Sequence, residues 1–144
     1  MEEIIYNHSI PIQIRFNDVD KFGHVNNSVY FTYCDLGKSE YFAAVSPDMD
    51  LEQVAVVMVH IEADFLSQII LASQVSVQTA VTRLGNKSMN MEQRVINEVT
   101  GEVKFVCRST LVAFDLHARA SIEIPATWRD AISRFEHRTY LHEL

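Results

Sequence analysis

The chain has 144 residues, 48% of them apolar and 22% charged, with a formal net charge of −7. That length gives one domain, spanning 1–144, able to bury a core without metal or disulfide staples. The acidic balance argues against nucleic-acid binding, which needs a basic footprint, and the longest apolar run, Val54 to Val59, is far too short to span a bilayer.

The first residues, Met1-Glu2-Glu3-Ile4, carry acid and lack the basic and apolar regions of a signal peptide. Two cysteines, Cys34 and Cys107, are too few for a disulfide framework. Reduced thiols and a cytoplasmic location are therefore expected. In chain order, Ile10, Ile12, Ile14 and Phe16 alternate with Pro11, Gln13, Arg15 and Asn17, the pattern of a half-buried strand with Pro11 near its start or on an edge. From Asn26 to about Val45 the spacing turns helical, with Val29, Tyr30, Tyr33, Leu36, Gly37, Tyr41 and Ala44 on the recurring positions. Asn26 or Asn27 is a good N-cap, and Ser46-Pro47-Asp48 is a stop. Gly37 inside this helix costs about 1 kcal/mol against Ala, which suggests close packing against a sheet.

Strands dominate the remainder. Val57, Val59, Ile61, Ala63 and Phe65 alternate with Met58, His60, Glu62 and Asp64. Val75 to Thr82 follows the same period, then Leu84-Gly85-Asn86-Lys87 reads as a hairpin turn into Met89–Ile96. A second turn, Asn97 to Glu102, leads into Val103–Phe114. Pro125 and Trp128 introduce a short helix over Ala126–Arg138, whose cationic end (Arg134, His137, Arg138) suits the helix dipole. The order of strand, long helix, four strands and short helix predicts an α+β fold, an antiparallel sheet with one main helix on one face.

The chemistry concentrates in Arg15-Phe16-Asn17-Asp18-Val19-Asp20-Lys21-Phe22-Gly23-His24-Val25-Asn26-Asn27-Ser28-Val29-Tyr30. Two carboxylates close the first strand, a Gly-His turn follows, and two asparagines open the helix. A negative group then stands just ahead of a helix N-terminus, where free N–H groups and the positive dipole end can hold a developing anion. A base beside an anion cradle suits acyl transfer.

This order of elements, with Asp-x-Asp-x-x-Gly-His-Val-Asn-Asn at the junction, resembles the hotdog-fold acyl-CoA thioesterases of the 4-hydroxybenzoyl-CoA thioesterase-like family. The similarity runs from about Ile10 to about Phe114. Val56 to Phe65 looks like the family's second strand and Gly85-Asn86-Lys87-Ser88 like its central hairpin. The resemblance implies a five-stranded antiparallel sheet wrapped around the long helix, with a short C-terminal helix. It further implies a homodimer, or a dimer of dimers, joined edge to edge with the thioester at the interface. Asp20 corresponds to the catalytic carboxylate, and backbone near Asn26 and Asn27 polarises the thioester carbonyl. The expected reaction is hydrolysis of an acyl-CoA to free acid and coenzyme A. No metal or other cofactor is needed, since coenzyme A arrives as part of the substrate. Many relatives carry Glu and Arg where Asp35 and Lys38 stand, so charge is kept while reach and donor geometry change.

Each candidate also has a plain structural reading. Asp20 can be a turn aspartate satisfying backbone N–H groups; as catalyst it is an ionised carboxylate that takes a proton from water or attacks the thioester carbon. Asp18 is expected to bond a turn N–H or pair with Arg15. His24 is either a second base or a residue that fixes the loop through backbone bonds. Asn26 and Asn27 are caps, substrate-side donors, or both, with the Asn27 N–H expected to make the oxyanion contact. Tyr30, Phe31, Tyr33, Tyr41 and Phe42 are core aromatics of which one or two, Tyr30 first, face the substrate. Arg83, Lys87 and Ser88 flank the hairpin, where the resemblance implies coenzyme A contacts and the plain reading is solvated charge. Arg108 is expected to pair with Glu62, Asp64 or Glu92 across the sheet, and Cys34 and Cys107 to be inert buried thiols. The histidines at 8, 24, 60, 117, 137 and 142 show no metal-ligand spacing.

Two other functions fit the same fold. A hotdog subunit could bind acyl groups, or serve as a scaffold, without turnover. A dehydratase or hydratase would need an acid–base pair set for the α-proton, and His24 with Asp35, eleven residues apart, is a poor one.

Overall fold

The computed structural model describes residues 3–46 and 52–140. Met1, Glu2, Pro47, Asp48 and His142 lie outside the described residues. Strand β1 (His8–Ile12) is followed by a single 3-10 turn (Phe16–Asp18) and helix α1 (Asn27–Val45). Then come β2 (Val54–Phe65), β3 (Val75–Leu84), β4 (Ser88–Asn97), β5 (Val103–Asp115), the two-residue β6 (Ala120–Ser121) and helix α2 (Ala126–Glu136). The sheet is antiparallel in the order β1-β3-β4-β5-β2, with β6 appended to the end of β5. Apart from β6, the sheet has five strands among the described residues, as expected.

α1 reaches all five. His8 of β1 stands edge-on to Tyr41 at 5.6 Å, Gly37 lies against Val77 of β3, and Gln93 of β4 donates to the Cys34 carbonyl at 2.7 Å. Tyr30 stacks on Phe105 of β5 at 5.0 Å, and Phe31 meets Phe65 of β2 at 6.1 Å. A Cβ at position 37 would sit 2.6 Å from Val77 Cγ1, inside the fully buried core, so the helix can approach this closely only at a glycine. The two thiols meet in the same layer, Cys107 Sγ lying 3.7 Å from Cys34 Sγ, both free and buried.

The first strand is shorter than its alternation predicts. It stops at Ile12, opposite Val75 at the start of β3, and among the described residues no partner strand continues beyond. The Asp18 N–H donates to the Arg15 carbonyl at 2.9 Å and the Arg15 N–H to Asp18 Oδ2 at 2.9 Å, which curls the chain into the 3-10 turn and leaves Phe16 80% exposed. In β2 a bulge at Val59 breaks the predicted alternation: Val56 and Met58 pair across from Ala113 and Leu111 and pack on the core, whereas beyond the bulge Ile61, Ala63 and Phe65 take that face. α2 ends at Glu136, not Arg138. His137 adopts a left-handed φ of 55° as its C-cap, so Arg134 alone of the three cations lies in the last turn. The β6 pairing is an addition that sequence periodicity did not signal.

α2 closes the end of the barrel-like layer remote from the 15–30 segment. β1 pairs with β3 no further than Thr79, and beyond it α2 and the segment that follows α2 supply side chains on that edge: Glu136 Oε2 accepts from the Val81 N–H at 3.3 Å, and the Tyr140 hydroxyl donates to the Val81 carbonyl at 2.7 Å. Glu136 Oε2 also accepts from the fully buried Tyr41 hydroxyl at 2.6 Å. Burial raises the Glu136 carboxyl above its ordinary range, against the opposing hydrogen bonds from Tyr41 and Val81. A carboxyl whose folded value is raised favours the fold while protonated and loses that contribution as pH climbs through the raised value. Glu136→Gln keeps an acceptor for both donors and removes the ionisation. Urea midpoints measured from mildly acidic to mildly alkaline pH should therefore show the variant gaining on the native chain as pH rises; a constant difference across the range would contradict this.

Candidate active site

The 15–30 segment is held from several sides. The Asp18 carbonyl accepts the Asn26 N–H at 2.8 Å, and Asp18 Oδ2 accepts the Tyr33 hydroxyl at 2.7 Å besides the Arg15 N–H. Asp18 thus bonds a turn amide, as expected, and ties the turn to α1. Burial, then the Asp18 bond, pushes the Tyr33 phenol well above its ordinary range. The Val25 N–H donates to the Ile69 carbonyl at 2.8 Å, and His24 bridges to Ile70, so the β2–β3 loop is fastened to the Gly-His turn.

Within this frame Asp20 makes an Asx-type turn. Its Oδ1 accepts the Phe22 N–H at 2.9 Å and the His24 N–H at 3.2 Å. Its own N–H donates to the His24 carbonyl at 2.8 Å, and its carbonyl accepts the Gly23 N–H at 3.0 Å. Gly23 has a φ of 80°, the left-handed conformation that favours glycine. The plain structural reading of Asp20 is therefore true of one oxygen. Oδ2 has no hydrogen-bond partner among the described residues. His24 fixes the loop through its main chain and is among the residues lining the cavity described next.

Asn26 is the N-cap of α1: its Oδ1 accepts the Ser28 N–H at 3.1 Å and the Ser28 hydroxyl at 3.0 Å. The Val29 N–H goes to the Asn26 carbonyl at 2.9 Å. From Gly23 to Val29 each backbone N–H has an acceptor except that of Asn27, which has none among the described residues. One unsatisfied amide at the positive end of a 19-residue helix is a ready donor for a developing oxyanion.

Asp20, His24, Asn26, Asn27 and Tyr30 line one cavity of about 340 Å³. Phe22, 72% exposed, stands on its rim. Tyr30 is 2% exposed, and burial raises its phenol above the ordinary range, against a hydrogen bond with the Ile69 backbone. Gln68, from the β2–β3 loop, also lines the cavity; sequence reasoning missed it, because nothing in its own stretch distinguishes it from a loop glutamine.

Arg83, Lys87 and Ser88 stand apart from this group within one chain. They surround the β3–β4 hairpin at the α2 end, where the Arg129 guanidinium bonds the Gly85 and Asn86 carbonyls and the Ile124 N–H donates to the Asn86 carbonyl at 2.9 Å. Arg108 pairs with Glu92 at 2.8 Å and Asp64 at 3.7 Å on the sheet's other face, as expected of two of its three candidates. A larger cavity of about 600 Å³, lined among others by Glu3, Thr82, Glu136 and Arg138, lies at the α2 end. It brings no carboxylate oxygen and unsatisfied helix amide together. Among the described residues no group of three or more His, Cys, Asp or Glu could hold a metal ion, and no helix is long and apolar enough to cross a membrane.

A family model described as the thioesterase-like superfamily matches residues 14–132. A thioesterase from Thermus thermophilus, solved with coenzyme A and zinc, is 31% identical, with a TM-score of 0.82 over 93% of this chain and 97% of that one. An uncharacterized Bacillus subtilis protein, YsmA, is 24% identical over 80 residues, 56% of this chain and 54% of its own length. The chloroplastic acyl-acyl carrier protein thioesterase ATL2 of Arabidopsis thaliana is 23% identical over 132 residues, 90% of this chain and 70% of its own. The chain thus spans about half the length of the first of these curated relatives.

Proposed function

The chain belongs to the thioesterase-like superfamily, and on that premise we propose that it hydrolyses an acyl-CoA thioester to the free acid and coenzyme A at the Asp20 cavity. The observation that carries the reading is that Asp20, whose Oδ2 has no partner among the described residues, and Asn27, whose N–H has none either, line one cavity. The carbonyl oxygen of the thioester rests on the Asn27 amide, and Asp20 either activates water or attacks the acyl carbon. Negative charge moves onto the carbonyl oxygen, toward the helix dipole and the donor. The thiolate leaves readily, so little general-acid help is required. Asn26 holds the cap that presents the amide, His24 closes the loop that aims Asp20, and Tyr30 forms the apolar floor. The coenzyme A solved with the Thermus relative supports this choice of donor.

The partner surface belongs to the same proposal. β2 is a twelve-residue edge strand with Val57, Val59, Ile61 and Phe65 between 37% and 59% exposed. A long apolar edge left open is a template for pairing, and a second copy joined through β2 about a two-fold axis would cover it. Antiparallel pairing of the two β2 strands reverses one subunit, which brings its hairpin, with Arg83, Lys87 and Ser88, to the same end of the joined sheet as the other subunit's Asp20. That supports a coenzyme A contact across subunits. The buried free thiols fit a cytoplasmic location.

The test is thiol release from a panel of short, long and aromatic acyl-CoA thioesters and an acyl-carrier-protein thioester. Release from at least one acyl-CoA, by a preparation that sediments as a dimer or dimer of dimers, is expected. Binding without release from any of them would instead make the protein an acyl-binding subunit, and faster release from the carrier-protein thioester would move the substrate to that donor.

A further inference from the structure

Among the described residues, Gln68 is the one lining the Asp20 cavity from outside residues 20–30. Its backbone neighbours are pinned on both sides. The Leu66 and Ser67 N–H groups both donate to the Lys104 carbonyl, at 3.0 and 3.1 Å, and Lys104 Nζ donates to Ser67 Oγ at 3.4 Å. Ile69 is fully buried in the core and its carbonyl accepts the Val25 N–H. Gln68 itself is exposed, and its carboxamide has no hydrogen-bond partner among the described residues. A rigid pedestal that presents an unpartnered amide to a cavity is how a positioning group is built.

Three other polar residues of the cavity, which His24 and Tyr30 also line, narrow what such an amide can do. Asp20 Oδ1 is occupied by two backbone amides, which leaves Oδ2 as the oxygen able to take a proton. Asn26 Oδ1 is occupied by Ser28, and the Asn27 N–H is a donor that suits the thioester oxygen. A water held by Oδ2 alone is free to rotate about that one bond, and its lone pair has no fixed direction. A second acceptor, fixed in space, removes the rotation.

We propose that Gln68 is a positioning residue whose carboxamide oxygen accepts the second hydrogen of the attacking water on the route in which Asp20 is the general base. The inference rests on thioester hydrolysis at this cavity. In the step, one O–H bond of water breaks and its proton passes to Asp20 Oδ2 while the water oxygen bonds to the acyl carbon. The carbonyl electron pair moves onto oxygen against the Asn27 amide. On collapse the C–S bond breaks, and the thiolate takes a proton from the Asp20 carboxyl, which restores the starting state.

The experiment compares Gln68→Met, similar in volume without the amide, and Gln68→Glu, which keeps an acceptor and adds charge, with the native protein in thiol release from a working acyl-CoA. Loss of a positioning contact made in the transition state lowers kcat on the order of tenfold in Gln68→Met and leaves KM within about twofold. In Gln68→Glu a second carboxylate in the cavity that Asp20 lines moves the acid limb of the kcat profile to higher pH. A residue that only supports the loop would not move that limb. Native kcat in Gln68→Met, a change confined to KM, or an unmoved limb in Gln68→Glu overturns the inference while leaving hydrolysis at Asp20 standing, provided Asp20→Asn has lost turnover. No release by the native protein with any thioester overturns both.

Discussion

Asp20→Asn gives a folded protein that still binds acyl-CoA and turns it over about a hundred- to ten-thousandfold more slowly, the range expected when a positioned base is removed. The amide oxygen of Asn can still accept the Phe22 and His24 N–H bonds that Oδ1 now accepts at 2.9 and 3.2 Å, so the turn keeps its shape. What disappears is the second carboxylate oxygen, the one with no hydrogen-bond partner among the described residues. The effect therefore falls on kcat, with KM and the thermal midpoint nearly unchanged. A variant that hydrolyses a good acyl-CoA at the native rate would return Asp20 to the role of turn aspartate.

Asn27→Pro removes one atom that matters and little else. Asn27 is the first residue of α1, the position at which proline is tolerated best, because its missing N–H is one that the helix leaves unsatisfied. The preceding residue must be extended, and Asn26 already has φ −62° and ψ 139°. The variant should fold with an intact helix and lose about 10²–10³ in kcat, the cost of one oxyanion donor. Asn27→Ala keeps the backbone N–H and loses only the side chain, so its turnover should stay close to native. If the proline variant retains native kcat, the carbonyl oxygen rests elsewhere; if the alanine variant is as impaired, the side chain and not the amide does the work.

The sequence made some parts of this molecule legible and hid others, for local reasons. Periods of two and 3.6 placed β3, β4, β5 and α1 to within a few residues, since each buries one face. Gly37 could be read as a close-packing position because a glycine inside a helix has a cost that some contact must offset, and Val77 is that contact. The alternation over Ile10–Phe16 misled because a strand needs a partner, and β3 begins opposite Ile12. In β2, Val57 and Val59 look like core residues until the bulge turns Val56 and Met58 inward. At the site, Asp20 and Asn27 were visible because the junction of strand, turn and helix is encoded in consecutive residues. Gln68 was not, since it reaches the cavity through the pairing of Val25 with Ile69 and His24 with Ile70, a contact across more than forty residues with no periodic signature.

The most direct measurement is a crystal structure of the protein with an acyl-CoA analogue in which the thioester sulfur is replaced by methylene, so that the carbonyl stays but the bond cannot be hydrolysed. The account predicts the carbonyl oxygen about 2.7–3.1 Å from the Asn27 nitrogen, with Asp20 Oδ2 on the open side of the carbonyl carbon. A carbonyl bound away from the head of α1, or an Asp20 carboxylate with both oxygens turned into the loop when the analogue is in place, would contradict it.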